Sequence, residues 1–219
     1  MDNPQVHDLL EIELDSLDPD LTAAPPWAKE TLDSCPWVVV RRAFAPAGQI
    51  AVGVRGAIRG QRWSSFCSRD SLQRIVRPEE LVYPFRSSTR VFRTPALKAI
   101  SELDERWSDL GLQWGVVGSV GFELATGRQV TTETSDLDLI IRARKRISKQ
   151  MAQSLWQRTE GLAVRLDVLV ETPDCGFSLE EYARSISPRI LLRRKDGSSL
   201  GDDPWGNLTD RQKTEASGS

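Results

Sequence analysis

Residues 114–142, WGVVGSVGFELATGRQVTTETSDLDLIIR, constrain this chain more than any other stretch. An apolar run, Gly115-Val116-Val117, ends in Gly118-Ser119. A short helical segment and a polar connection follow. The chain then enters Ser135-Asp136-Leu137-Asp138-Leu139-Ile140-Ile141. Side chains of an extended strand alternate between faces. Asp136 and Asp138 therefore share one face, while Leu137, Leu139 and Ile141 point the other way into a core. Two carboxylates on one side of an apolar strand repel each other, so the arrangement calls for a counter-charge. A hard divalent cation with oxygen ligands is the usual remedy, and Mg²⁺ is typically held by carboxylates plus substrate phosphates.

A third carboxylate lies downstream in Val164-Arg165-Leu166-Asp167-Val168-Leu169-Val170, again flanked by apolar residues. Asp side chains on neighbouring strands can hold two metals, which clamp the attacking and leaving oxygens of a phosphoryl transfer. Gly118-Ser119, at a strand-to-helix corner, offers backbone N–H groups and a helix N-terminus to phosphate oxygens. The set resembles the polymerase-β-type nucleotidyltransferase superfamily, which carries a Gly-Ser turn, an Asp-x-Asp strand and a later Asp on an adjacent strand. One departure is the sixteen residues between Ser119 and Asp136. The extra length falls in the loop around Gly127 to Thr134. Asp-x-Asp alone also occurs on solvated strands, and a degenerate, inactive copy would keep the same fold.

The rest of the composition narrows the setting. A net charge of −2 over 219 residues gives no global basic field for nucleic acid. Cys35, Cys67 and Cys175 are far apart and odd in number, which suits neither a zinc site nor a disulfide framework. Reduced, buried thiols and a cytoplasmic location are expected. His7 is the single histidine and cannot by itself build a histidine metal site or a Ser-His-Asp triad. No stretch reads as a signal peptide or a membrane span.

The fold expected is α+β. A smaller α+β N-terminal domain over 1–90 precedes a polymerase-β-like nucleotidyltransferase domain over 91–208, a mixed sheet flanked by helices, and 209–219 form a disordered tail. In the first part, Trp27 to Cys35 has helical spacing, with Pro25-Pro26 at its start. Trp37–Arg41 and Ile50–Arg55 read as a hairpin. Residues 69–83 read as two helical pieces, the second opened by Pro78. A linker spans Pro84 to Thr94. Thr94, Ser148 and Ser178 stand where helix caps belong. Arg55, Arg59 and Arg62 alternate with Gly56 and Gly60, which suits either contact with an anion or a solvated loop between strands.

Within the superfamily, His7-Asp8-Leu9-Leu10, the Val52-to-Arg62 stretch and Trp114 to Glu123 are similar to one family over roughly residues 5–206. That family is the phosphoribosyl-dephospho-CoA transferase of malonate decarboxylase, a holo-[acyl-carrier-protein] synthase. The resemblance implies a donor, 2′-(5″-triphosphoribosyl)-3′-dephospho-CoA, and an acceptor serine on the acyl-carrier subunit, with pyrophosphate released. It implies that Gly118 and Ser119 hold the distal phosphates. Asp136, Asp138 and Asp167 would hold Mg²⁺, and Asp167 would also help deprotonate the serine. Arg165, near Asp167, either meets the triphosphate or pairs with Asp136 or Asp138. Arg55, Arg59 and Arg62 would meet the donor or the carrier protein. No nucleic acid and no membrane is expected as a partner. The competing readings are a nucleotidyltransferase using ATP or CTP on another acceptor and a non-catalytic carrier-binding protein.

Overall fold

A computed structural model describes residues 3–56, 58, 60–82 and 93–206. Two six-stranded sheets dominate it. The first has the order β2-β5-β4-β3-β1-β6 and is antiparallel throughout. Its strands are β1 (Leu9–Ile12), β2 (Leu17–Asp18), β3 (Trp37–Val40), β4 (Gln49–Arg55), β5 (Arg62–Ser68) and β6 (Leu72–Val76). Helix α1 (Pro26–Ser34) buries Ala28 and Leu32 against this sheet. The β3–β4 hairpin forms as the alternation predicts, with Val39 opposite Gly53.

Within 69–83, the described residues 69–82 differ from expectation. The spacing of Leu72, Ile75 and Val76 fits a helix as well as a strand, and the chain takes the strand. β6 pairs with β1, an edge position that no local pattern announces. Short 3-10 turns, Arg69–Ser71 and Pro78–Leu81, flank it. β1 and β2 are also absent from the sequence reading. They are short, and their acidic surroundings hide their apolar residues. The linker before Arg93 and the tail from 207 lie outside the described residues.

The second sheet has the order β12-β11-β10-β9-β8-β7. Its strands are β7 (Trp114–Val116), β8 (Leu137–Arg142), β9 (Leu166–Glu171), β10 (Gly176–Ser178), β11 (Ile190–Arg194) and β12 (Gly197–Gly201). It is mixed, because β8 and β9 run parallel while every other pair is antiparallel. A parallel pair needs a crossover, and α4 (Lys149–Gln157) provides it. Helix α2 (Pro95–Trp107) is capped by Thr94, α4 by Ser148 and α5 (Leu179–Arg184) by Ser178, each side chain accepting from a backbone N–H three residues on. α2 contributes Ile100, Leu103 and Trp107, and α4 contributes Ala152 and Leu155, to a core that includes Leu137, Leu139, Ile141, Val168 and Val170. Those strand residues share one sheet face.

The opposite face of β8 and β9 meets the first sheet. Arg142, at the end of β8, donates to Asp8 (2.7 Å) and Glu79 (2.6 Å). Beside it in register, Glu171 of β9 pairs with Arg42. Burial pushes the Asp8 carboxyl up to about 6, although the Arg142 guanidinium opposes this. The main core also crosses the junction, since Leu9, Trp37 and Val76 join it.

Candidate active site

The predicted strand–turn–helix–strand forms. β7 leads through Val117 into α3 (Gly118–Thr126), and β8 returns beside β7. Gly118 opens α3 with φ +66°, a left-handed conformation that a side chain resists. A Cβ built there would lie 2.9 Å from Asp138 Cγ and would overlap the carboxylate oxygen. The turn is therefore folded directly onto Asp138. Val117 N–H reinforces this by donating to the Asp138 carbonyl (3.0 Å). Ser119 follows in the first turn of the helix, half-buried.

Asp138 and Asp167 are direct cross-strand partners in the parallel pair. Residues in register on neighbouring strands present their side chains to the same face. Burial raises the Asp138 carboxyl above its ordinary range, and the charges of Asp167 and Asp136 add to this. The Arg55 guanidinium pulls the other way. Asp136 sits one residue before β8, is exposed, and lies 4.0 Å from the Arg165 guanidinium. Arg165 precedes β9 and is 77% exposed, so water screens this pair heavily.

These donors suit a hard cation. They are all oxygens, two lie side by side, and the repulsion at Asp138 is only partly met by protein cations. Among the described residues, no three His, Cys, Asp or Glu side chains close into a finished cage.

Arg55 and Arg62 are opposite each other across β4 and β5, both exposed. Like charges directly opposite are destabilising in a sheet, so an anion would relieve the pair. Arg55 is the one whose charge reaches Asp138. Arg59 lies outside the described residues.

Glu123, on α3, faces a different environment. Its carboxylate accepts from Arg93 (2.7 and 2.8 Å), from the N–H groups of Val130 and Thr131 (2.9 and 2.8 Å) and from the Thr131 hydroxyl (2.7 Å). Burial raises this carboxyl, but those hydrogen bonds win and hold it at about 2. The long loop after Gly127 is thereby folded back onto its own helix.

Family models match almost the whole described chain. The phosphoribosyl-dephospho-CoA transferase N-terminal domain covers residues 5–78, and the C-terminal domain of the same name covers 85–204. The chain belongs to the phosphoribosyl-dephospho-CoA transferase family. Proteins named phosphoribosyl-dephospho-CoA transferase are similar over nearly their full length. That of Azotobacter vinelandii is 41% identical over 207 residues, covering 92% of this chain and 94% of its own. That of Pseudomonas putida is 38% identical, covering 94% and 97%. That of Pseudomonas aeruginosa is 37% identical, covering 92% and 94%. No solved structure matches the chain. The chain is thus a transferase.

Within this family member, two residues at the far end of the Asp138–Asp167 strand pair, beside Arg142, were not picked out by sequence. Glu171 follows Asp167 by four positions on one strand, so period-two alternation places both on one face. His7 has no such local signal. It is brought there by the packing of the two sheets, with Nε2 3.3 Å from Glu171 Oε1. No described helix is long and apolar enough to cross a membrane. All three cysteines are free and buried.

Proposed function

We propose that this transferase moves phosphoribosyl-dephospho-CoA from 2′-(5″-triphosphoribosyl)-3′-dephospho-CoA to a serine of the acyl-carrier subunit of malonate decarboxylase, releasing pyrophosphate. The observation that carries this reading is Asp138, set in register beside Asp167 and packed under the left-handed turn at Gly118. It joins a carboxylate pair to a tight glycine turn at one place. The names of the relatives support the donor class.

Gly118 and Ser119 would receive the distal phosphates through backbone N–H groups, where the missing side chain at 118 permits close approach. Asp138 and Asp167 would hold Mg²⁺, with Asp136 joining them by leaving its exposed contact with Arg165. Mg²⁺, when bound, would neutralise charge on the triphosphate and lower the pKa of a coordinated hydroxyl. Arg55 would add positive charge on the same side, and Arg62 would extend that charge outward along the hairpin. An acidic carrier protein would be steered by such a field.

Intact-mass measurement of the carrier subunit tests the proposal. After incubation with enzyme, donor and Mg²⁺, the subunit should gain the mass of the prosthetic group at one serine. Transfer from ATP or CTP with none from the dephospho-CoA donor would replace this reading with an ordinary nucleotidyltransferase. An unmodified carrier that binds stably would replace it with a binding role.

A further inference from the structure

We propose that the acceptor protein docks on the outer face of β11 and β12. The inference rests on reading the Asp138–Asp167 face as the transfer site and a carrier subunit as the acceptor. Register carries the first step. Asp138 pairs with Asp167, and Asp167, Leu169 and Glu171 alternate onto one face of β9. Glu171 is opposite Gly176 of β10, and Gly176 is opposite Arg193 of β11. Leu191 shares that face of β11, and its partner on β12 is Leu200. The two carboxylates and the Leu191–Leu200 pair therefore lie on the same side of one sheet. At about 4.8 Å between strands and about 3.3 Å per residue, Leu191 stands about 12 Å from Asp167. A standard interface covers about 800 Å² of each partner, a disc of about 16 Å radius. A protein seated on Leu191 thus reaches the carboxylates.

The second step is what this face shows to solvent. Leu191 is 39% exposed and Leu200 57%. β12 ends the sheet, a position where proteins ordinarily place charge rather than paired leucines. The loop after β3 adds a third apolar group. Arg42 crosses this face to Glu171 beside Gly176, and Phe44, two residues on, is 70% exposed with Lys195 Nζ 5.9 Å from its ring centroid. Cations border the three. Arg189 and Arg193 are exposed and alternate with Leu191. Among the described residues neither arginine nor Lys195 is ion-paired; Arg189 donates to the Leu200 carbonyl (3.3 Å), and Lys195 sits over Phe44. Residues 189–202 hold four cations against two anions, Asp196 and Asp202, in a chain whose net charge is −2.

The occupant follows from charge and position. An apolar centre bordered by cations matches a protein surface whose apolar contact is bordered by carboxylates. An acceptor serine must be held still at the carboxylates to react, so the body that carries it needs a rest close by on the same side. The β11–β12 face supplies one. A second copy of this chain suits the face poorly, because a two-fold contact would set the same cations against themselves. Residues 207–219 suit it no better, with one large apolar residue, Leu208, and no net charge. The acidic carrier subunit is therefore the partner assigned to it.

The test uses the full chain and the unmodified carrier subunit of malonate decarboxylase. Calorimetry of that subunit into enzyme without donor reads docking apart from turnover. Leu191→Gln with Leu200→Gln should weaken carrier binding roughly tenfold or more, with donor affinity and the rate at saturating carrier unchanged. Arg193→Glu should raise the carrier KM and reduce its dependence on salt. Wild-type carrier affinity in the double variant overturns the proposal. A raised donor KM with an unchanged carrier KM gives the face to the donor and overturns it as well. So does a dimeric wild type with a monomeric double variant and an unchanged carrier KM, which would make the face a contact between copies. Should the double variant fail to fold, Arg193→Glu with the wild-type carrier KM and salt dependence overturns the proposal by itself. If wild type modifies the carrier and these variants match it, the docking face alone is removed. A wild type that neither binds nor modifies the carrier removes the underlying reading, and the proposal with it.

Discussion

Gly118→Ala attacks the site through its geometry and spares all of its charges. Two costs can be worked out. The first is backbone. At φ +66° an L side chain costs about 1–2 kcal/mol. With a urea m-value of about 2 kcal/mol/M, the unfolding midpoint should drop by roughly 0.5–1 M. The second cost is steric. The new methyl would stand 2.9 Å from Asp138 Cγ. Carbon atoms settle at about 3.5–4.0 Å, so the carboxyl must retreat by about 0.6–1.1 Å. A displacement of about 1 Å in a reacting constellation is worth about 10²-fold in rate. Urea titration followed by single-turnover transfer, at a temperature where the variant is folded, separates the two effects. The expectation is a folded protein about 100-fold slower than wild type. A destabilised variant with unchanged turnover would show that the closeness of Gly118 and Asp138 has nothing to do with transfer.

Asp167→Asn keeps shape and one coordinating oxygen, so donor affinity by calorimetry should hold while kcat falls by roughly 100-fold or more. That is the pattern of an interaction made chiefly in the transition state. Unchanged kcat would take Asp167 out of the site. Arg55→Glu should slow modification of the carrier protein more than Arg62→Glu, because Arg55 is a leading positive charge acting on Asp138, and added salt should shrink the difference. Equal effects would show that the pair acts as a diffuse field. Glu123 sits at about 2 when folded against 4.5 for the free group. Its stabilisation is therefore complete above about pH 4.5 and is lost as pH falls toward 2. Glu123→Gln should remove on the order of 3 kcal/mol near neutral pH, with the gap to wild type closing in that acid window. A gap that stays constant with pH would assign the loss to packing.

The parts of the site that can be read from sequence are those whose chemistry and geometry are local. Alternation puts Asp138 opposite the core-facing Leu137 and Leu139, and the Gly-Ser turn marks the start of a helix. Caps at Thr94, Ser148 and Ser178 are set by backbone N–H groups three residues away, so short-range pattern suffices. β6 misleads because Leu72, Ile75 and Val76 satisfy both periods, and its pairing with β1, some sixty residues earlier, decides the matter. His7 is invisible for the same reason. Its neighbour Glu171 is supplied by a different sheet, and no spacing in the chain encodes that meeting.

The junction between the sheets has an evolutionary consequence. Two sequence modules, 5–78 and 85–204, suggest that halves from different relatives could be recombined. Yet Asp8 is fully buried against Arg142, and Glu171 against Arg42, with each pair split between the modules. A chimera that changes one member strands a buried charge, at a cost of about 3–5 kcal/mol. That is a large share of a typical domain's stability. These four positions must therefore drift together, and functional chimeras will come only from parents that agree at all of them.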